Sequence, residues 1–200
     1  LLTDHREQLD DEGREFLGHI RQATKHMAEL IDDLQNYSRL ERHELTLARQ
    51  PLAAVVEGVL SGARQDLEAA AVQLEVRVDP GVSALADTQG LTLALRNLLD
   101  NAIKFSRSSE PPRISIEAER RDGGVELSVR DNGVGFDMKF HDRIFSIFQR
   151  LHRAEDYPGT GIGLAIVRKA VDRMGGRVRA DSRPGEGATF TIELPEAAAT

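Results

Sequence analysis

The sequence predicts an α+β protein, a two-layer sandwich with helices on one face of a sheet, preceded by a helical-bundle segment. Two observations support this prediction. Residues 14–42 follow a helical period throughout, whereas the rest of the chain alternates between segments of helical and of strand period. Two pairs of strand-like segments are also joined through short glycine turns, as in hairpins, and such pairs mixed with helices are typical of an α+β fold.

The composition excludes several classes of protein. Of the 200 residues, 33 are acidic and 26 are basic, so the formal net charge is -7 and the chain lacks the basic surplus of nucleic-acid binders. The absence of cysteine rules out disulfides and thiolate metal sites. No apolar run approaches the ~20 residues that cross a bilayer. We therefore expect a soluble, cytoplasmic protein that has no membrane segment and does not bind nucleic acid.

A long amphipathic helix is predicted from Arg14 to about Arg42. Its apolar residues step by four and three, which is the spacing of a coiled-coil or bundle seam; they are Phe16, Ile20, Ala23, Met27, Leu30, Leu34 and Tyr37. Such a seam needs a partner helix. Residues 1–13 match only the last turns of another helix and a polar turn, so we expect a fragment that lacks most of this partner. Residues 1–47 are thus predicted to be a partial dimerisation bundle.

The second unit is predicted to span residues 48–200. Near Glu41 to Gln50 the seam stops, ELTLA alternates like a short strand, and Pro51 opens a new helix. The periodicity then predicts helices at about 51–70, 88–105 and 161–174, and strands at about 72–78, 113–120, 124–130, 177–182 and 187–193. Neither period holds from Phe136 to Pro158, and a loop of that length indicates a functional lid or disorder.

The helix at 88–105 contains the segment RNLLDNAIKFS, whose polar residues recur on a second face. At about 100° per residue, one stripe is apolar and is expected to pack on the sheet; it comprises Leu91, Leu95, Leu98, Ala102 and Phe105. Asn97, Asn101 and Lys104 form a second stripe at i, i+4 and i+7. An amide oxygen can ligate a hard cation, and an ammonium can neutralise phosphate oxygens. Taken alone, this stripe is also explained by a solvated helix face.

Three further motifs place glycines at the ends of strands and helices. In DNGVGF a strand delivers Asp131 at its end, and Gly133 and Gly135 allow close approach of the backbone. This carboxylate could accept a hydrogen bond from an exocyclic amine such as that of adenine, although Asp-Asn-Gly is often only a turn. PGTGIGLAIV is a glycine-rich loop running into a helix, where free N–H groups can hold phosphate, but it has neither a Walker nor a Rossmann pattern. GEGATF predicts a glycine turn before a strand.

Together these motifs resemble the ATP-binding domain of sensor histidine kinases, in the GHKL superfamily. RNLLDNAIKFS is similar to the N box of that family, DNGVGF to its G1 box, FSIFQRLH to its F box, GTGIGLAI to its G2 box and GEGATF to its final glycine box. The order and the spacing agree over nearly the whole chain. The helix with EGREFL and LIDDLQNYSRL, and the run IFQRLHRAEDYPGTGIGLAI, are most similar to bacteriophytochrome-type kinases. The resemblance implies the Bergerat ATP-binding fold.

The resemblance implies a role for each matching residue, with ATP and Mg²⁺ as cofactors. Asn101 would ligate a Mg²⁺ ion that bridges the ATP phosphates, and Asn97 and Lys104 would assist at the phosphates. Asp131 would accept from the adenine amino group, with Thr189 nearby. The other residues would surround the nucleotide: Gly133 and Gly135 at the adenine, and Thr160, Gly161, Gly163 and Leu164 around the triphosphate.

The predicted lid contains residues of two kinds that resemble the F box. Phe145 and Phe148 are similar to the anchors that hold the lid, although core packing explains Phe145 equally well. Arg150 and Arg153 are candidates to reach the γ-phosphate, and solvated surface arginines are an equal alternative.

The family transfers phosphate to a histidine in an H box on the first helix of a dimeric four-helix bundle. None of the six histidines fits this description. His43 begins the letters HEL, but it lies in a linker and lacks the proline that should follow, and His5 is too close to the polar turn to lie on a helix. The other four lie elsewhere: His19 and His26 on the second bundle helix, and His141 and His152 in or beside the lid. We expect the acceptor upstream of Leu1. The fragment should bind Mg-ATP without phosphorylating itself, whereas the full-length homodimer should pass the phosphate to an aspartate of a response-regulator receiver domain.

Two alternatives remain open. An ATP-driven clamp of the same fold would need a catalytic glutamate beside the metal asparagine, where this chain has Arg96, Asp100 and Lys104. A non-catalytic dimerisation and signalling module would keep the fold without the nucleotide, and ATP binding distinguishes it from a kinase.

Overall fold

The computed structural model describes residues 10–42, 44–121, 123–152 and 156–197. Within these ranges the predicted architecture is confirmed, because a five-stranded sheet packs against helices and a long helix precedes it. Several predictions fall outside the described residues. They concern residues 1–9 as the end of a first helix, and the positions His5, His43, Asp122 and Arg153.

The helices lie where the periodicity places them, with one interruption. They are α1 Asp11–Arg42, α2 Leu52–Gly62, α3 Arg64–Ala69, α4 Thr88–Ser106 and α5 Gly163–Arg173, and a 3₁₀ turn covers Met138–Phe140. The helix expected at 51–70 is divided because Ala63 leaves the helical conformation, with φ -101° and ψ 5°. Asp87 caps α4 by accepting a hydrogen bond from the Gly90 amide at 2.8 Å. This cap fixes the start of the helix that carries the polar stripe.

The strands form one large sheet and one small one. They are β1 Ala48–Pro51, β2 Gln73–Val78, β3 Ser83–Ala86, β4 Arg113–Arg121, β5 Gly124–Asp131, β6 Arg177–Arg183 and β7 Gly187–Leu194. The five-stranded sheet has the order β2-β4-β5-β7-β6; β2 runs parallel to β4, and the other neighbours are antiparallel. Both predicted hairpins are present, with Arg121 opposite Gly124 and Arg183 opposite Gly187. Asp131 pairs with Ala188, which brings two of the glycine motifs together.

The small sheet corrects one prediction. Residues 44–47 of ELTLA are irregular, and β1 begins only at Ala48, where pairing with Ala86 of β3 starts. The sequence pattern did not identify β3. Its four residues, SALA, are nearly all buried and therefore lack the alternation that marks a half-exposed strand.

The core lies between the sheet and α4. The stripe of Leu91, Leu95, Leu98 and Ala102 is buried, as are the alternate residues Val125, Leu127 and Val129 of β5. Phe105 was predicted to complete this stripe, and that prediction is wrong. Its ring is only partly buried and lies 5.3 Å from the Tyr157 ring and 5.5 Å from the His152 ring. The side of the last turn of α4 that carries Phe105 therefore faces a cavity, whereas Ile103 and Ser106 of the same turn are buried.

The long helix α1 has an exposed seam and a packed carboxyl-terminal part. The seam leaves large apolar side chains in solvent, with Phe16 59% and Ile20 60% exposed, as expected of a helix that needs a partner. Leu40 is buried in the core, and Tyr37 packs partly against it. Glu41 also pairs with Lys169 of α5 at 3.0 Å. In the described part of the chain, no helix combines the length and apolarity needed to cross a membrane.

Candidate functional site

A cavity of about 580 Å³ opens beside α4, within the size range of small-molecule sites. Several parts of the chain that are distant in sequence contribute to its wall. Nine of the eleven nucleotide and metal residues that the resemblance implies line it: Asn97, Asn101, Lys104, Asp131, Gly135, Thr160, Gly161, Gly163 and Leu164. The fold therefore brings the polar stripe, the end of β5 and the glycine-rich loop into one site.

Asp131 provides a buried carboxylate in this cavity. It is the last residue of β5 and is 5% exposed, and its Oδ1 accepts a hydrogen bond from the Gly133 amide at 2.8 Å. Burial raises the pKa of Asp131 to about 6, although the backbone N–H groups of Gly133 and Ala188 and the charge of Arg130 act in the opposite direction. At neutral pH the group is mostly an ionised acceptor with few protein donors, which suits recognition of an amine.

Gly133 lies behind the cavity wall and brings two backbone segments together. A Cβ at this position would stand 2.3 Å from the carbonyl oxygen of Phe105. The Val134 amide donates to the same carbonyl at 3.3 Å. Only glycine permits this contact, because a backbone carbonyl at the end of α4 cannot move aside. The loop after Asp131 is thus attached to the helix that carries the polar stripe.

The polar stripe of α4 faces the glycine-rich loop. Asn97 Nδ2 donates to the Leu93 carbonyl at 2.9 Å, and its Oδ1 points towards Gly163, where a Cβ would stand only 2.7 Å away. The absence of a side chain at Gly163 lets the start of α5 approach α4. Asn101 and Lys104 line the same side of the cavity.

Lys104 carries a weakened positive charge. Burial and, to a smaller extent, the charge of Arg150 lower its pKa to about 8, while Asp100, Asp33 and Glu29 act in the opposite direction. Its Nζ also lies 4.4 Å from the centre of the Phe105 ring. Lys104 is therefore still mostly protonated at neutral pH, and a bound anion would increase that charge.

The glycine-rich loop leads directly into α5. The helix begins at Gly163, and no side chain caps its amino terminus. Uncapped N–H groups at a helix start attract anions. The Thr160 hydroxyl donates to Asp33 Oδ2 and accepts from the Ile162 amide at 3.3 Å, which connects this loop to α1.

Thr189 is a wrong prediction. Successive residues of a strand face opposite sides of the sheet, and in β7 it is Ala188 and Phe190 that line the cavity. Thr189 pairs with Arg130 and Asp181 and does not line the cavity. Ala188 stands opposite Asp131 and occupies the place that the resemblance assigned to the threonine.

The lid residues divide between the core and solvent. Phe145 is buried, and its ring meets the Phe190 ring edge-on at 6.5 Å, which fits core packing as well as an anchor. Phe148 is 59% exposed with a positive φ of 64°, so its predicted anchoring role is wrong. Arg150 lines the cavity and donates to the Tyr157 carbonyl at 2.9 Å.

Several cavity residues were missed by the sequence interpretation. Glu29, Asp32 and Asp33 of α1 line the cavity, as do the rings of His152 and Tyr157 beside Phe105. No local signal marks the three carboxylates, because a charged helix face is usually only solvated. The run around Tyr157 carries part of the family resemblance, but the contact of the Tyr157 ring with Phe105 depends on the fold of the segment between them.

Residues 86–198 match the family model described as histidine kinase-, DNA gyrase B-, and HSP90-like ATPase. The chain belongs to this family. The predicted membership of the GHKL superfamily is confirmed by this match, and named relatives and solved structures confirm the likeness to sensor histidine kinases and the fold. Among the described residues, no cluster of three or more histidine, aspartate or glutamate side chains could hold a metal by itself.

Relatives from bacteria extend this likeness over almost the entire chain. Cyanobacterial phytochrome A of Nostoc sp. strain PCC 7120 is 39% identical over 96% of this chain and 25% of its own length. The sensor-like histidine kinase SenX3 of Mycolicibacterium smegmatis is 34% identical over 93% of this chain and 49% of its own length. The chain spans about a quarter of the length of the phytochrome-like relatives.

Solved structures show the same arrangement. Full-length ShkA, solved in complex with AMPPNP, superposes with a TM-score of 0.75 at 31% identity, over 96% of this chain and 40% of that protein. The sensor histidine kinase MprB, from a mycobacterium, gives a TM-score of 0.67 at 29% identity, over 77% of this chain and 100% of that structure.

Proposed function

We propose that this chain is the ATP-binding catalytic part of a two-component sensor histidine kinase. It would transfer the γ-phosphoryl group of ATP to a histidine upstream of Leu1, and the phosphate would pass from there to an aspartate of a response-regulator receiver domain. The observation that carries the proposal is the cavity itself, in which a buried acceptor, Asp131, shares one space with an amide, an ammonium and an uncapped helix start. Membership of the family and the likeness to named histidine kinases support it.

The adenine is assigned to the Asp131 end of the cavity. Its exocyclic amine would donate to the Asp131 carboxylate, and Gly135 and Ala188 would leave room for the ring. The buried carboxylate favours this assignment, since its two protein donors leave acceptor capacity unused. Phe190 supplies an apolar surface in the same part of the cavity.

The triphosphate is assigned to the other end of the cavity. Asn97 and Lys104 would contact phosphate oxygens, and Thr160, Gly161, Gly163 and Leu164 would wrap them. A Mg²⁺ ion commonly uses few protein ligands and takes its other ligands from phosphate and water. The amide oxygen of Asn101, in the cavity wall, fits this pattern as a single protein ligand. When bound, the ion would neutralise charge between the phosphates.

The residues of the chain would catalyse transfer by positioning and by charge stabilisation, which suffice for phosphoryl transfer. Lys104 would hold the phosphates with its positive charge, which is retained at neutral pH. The backbone N–H groups at the start of α5 would orient the same oxygens. Arg150 lies in the cavity wall, close enough to Lys104 to affect its pKa, and is the described lid arginine that could approach the γ-phosphate.

The proposed positions of the acceptor histidine and of the dimer interface depend on how the chain is divided into two parts. We assign residues 1–47 to a partial dimerisation and phosphotransfer bundle and residues 48–200 to the catalytic domain. The exposed apolar seam of α1 supports a homodimer of the full-length protein. We assign that protein to the cytoplasm. Of the described histidines, His19 and His26 lie on this second bundle helix and His141 and His152 lie at the lid, so none is placed as an H-box acceptor. This chain alone would bind ATP without phosphorylating itself.

Calorimetric titration of ATP with and without Mg²⁺ tests the proposal. Loss of a hydrogen bond to a charged group costs about 1.5–3 kcal/mol, so Asp131→Ala should weaken ATP binding roughly ten- to a hundredfold. Asp181→Ala, which removes an exposed carboxylate from β6, is the matched control and should bind like the wild type. A folded wild type that shows no saturable binding at millimolar ATP would refute the kinase function and favour the signalling module.

A further inference from the structure

Ser182 connects two segments that border the cavity. The residue lies in β6, is 4% exposed, and does not line the cavity. Its hydroxyl donates to the Gly187 carbonyl at 2.7 Å and accepts from the Phe136 amide at 2.9 Å. Phe136 ends the loop after β5, and Gly187 begins β7. One buried hydroxyl therefore joins the loop to the strand.

These two segments supply the N–H groups that bond to Asp131. The Gly133 amide belongs to the loop after β5, and the Ala188 amide follows Gly187 directly. The Gly185 amide adds a second connection by donating to the Val134 carbonyl at 2.7 Å. A separation of the loop from the strand would thus change the positions of these two donors relative to each other at the Asp131 carboxylate.

We propose that Ser182 is a positioning residue for adenine recognition: it holds the Gly133 and Ala188 amides in place, and through them fixes the Asp131 carboxylate that receives the adenine amine. This inference rests on the proposed function and extends it to a residue without contact to the nucleotide. The effect of Ser182 is expected mainly on the hydrogen bond between Asp131 and the exocyclic amine. A purine that lacks this amine gains nothing from the arrangement.

The same geometry has a consequence for pH dependence. The two amides stabilise the ionised form of Asp131, and Arg130 is the charged side chain that affects it. Burial raises the pKa of Asp131, and hydrogen bonds from the two amides partly offset this rise. If the amides move away, the offset becomes smaller and the pKa rises further. The carboxylate would then lose its charge, and its capacity to accept from an amine, at a higher pH than in the wild type.

The test compares Ser182→Ala with Ser83→Ala, which removes an equally buried hydroxyl from β3, outside the cavity wall. Dissociation constants are measured for ATP and for inosine triphosphate, which carries a carbonyl in place of the amine. We expect Ser182→Ala to weaken ATP binding about tenfold, as for one lost hydrogen bond, and inosine triphosphate binding less than twofold. Ser83→Ala should change neither. Equal loss for both nucleotides, or no loss, would overturn the inference.

A second readout does not depend on the nucleotide. The pKa of the Asp131 carboxyl, followed by NMR, should rise in Ser182→Ala and remain unchanged in Ser83→Ala; an unchanged value in Ser182→Ala would contradict the inference. If the wild type binds no ATP, the proposed function fails, while this measurement still decides the role of Ser182. If Ser182→Ala does not fold, Ser182→Cys takes its place, because a thiol is a weak donor of similar size. It should weaken the binding of ATP more than that of inosine triphosphate. Equal loss of affinity for the two nucleotides would contradict the inference.

Discussion

The burial of Asp131 should make the free energy of unfolding depend on pH in an unusual direction. The folded pKa is about 6, above the ordinary value of 3.8 that applies in the unfolded chain. Between these values the folded state keeps a proton that the unfolded state has released, so stability falls as the pH rises through this window. Asp131→Asn removes the titration, and its change in hydrogen bonding is independent of pH. The difference in stability between the variant and the wild type therefore isolates the carboxyl group.

The size of this difference follows from the two pKa values. The two pKa values differ by roughly two, and one pKa unit corresponds to about 1.4 kcal/mol. The raised pKa of Asp131 therefore lowers the free energy of unfolding by about 3 kcal/mol near pH 7.5 and by about 1 kcal/mol near pH 4.5, where the folded carboxyl is mostly protonated. Relative to the wild type, Asp131→Asn should thus gain about 2 kcal/mol between these two pH values. Urea unfolding of both proteins at both pH values measures it. If the difference in free energy of unfolding between the variant and the wild type stays constant with pH, the pKa of Asp131 is not raised by burial. If the difference decreases as the pH rises, that pKa is lowered.

Two further predictions concern the rest of the cavity. Gly133→Ala places a methyl group against the Phe105 carbonyl and should reduce the free energy of unfolding by about 1–3 kcal/mol, as overpacking does, and also weaken ATP binding; unchanged urea unfolding would refute the close contact. Lys104→Met should weaken ATP binding roughly tenfold or more at pH 7, and the advantage of the wild type should decline as the pH rises above about 8, where Lys104 loses its charge. A constant advantage up to pH 10 in calorimetric titrations would argue against a lowered lysine pKa.

The parts of the site that the sequence predicted are those fixed by local periodicity. Asn97, Asn101 and Lys104 had to lie on one side of a regular helix, and the cap at Asp87 starts that helix at the right place. Asp131 had to end a strand because apolar and polar residues alternate up to it. The five strands of the main sheet were located in the same way, since each follows one period over enough residues to be recognised.

The sequence-based predictions failed at residues whose surroundings are formed by segments distant in the chain. Thr189 was assigned to the cavity by motif likeness, but a shift of one residue along a strand exchanges the two faces of the sheet, so only the pairing of Ala188 with Asp131 decides which side chain enters. Phe105 continues the apolar stripe of α4, yet the sheet no longer covers the helix there, and the Tyr157 ring packs on it instead. Neither the pairing that orients Thr189 nor the packing of Phe105 can be predicted from helical or strand periodicity alone.

The contribution of α1 to the cavity also depends on distant contacts, which join α1 to the glycine-rich loop and to α5. Thr160 donates to Asp33 across 127 residues of sequence, and Asp33 and Glu29 stabilise the charge of Lys104. Phosphate oxygens held by Lys104 would meet these carboxylates at short range and be repelled by them. If a triphosphate binds at Lys104 as proposed, this repulsion would weaken the packing of α1 at the cavity. Because the same helix exposes the apolar seam on which a partner helix would pack, a rotation of α1 at the seam would alter the charge that a nucleotide encounters.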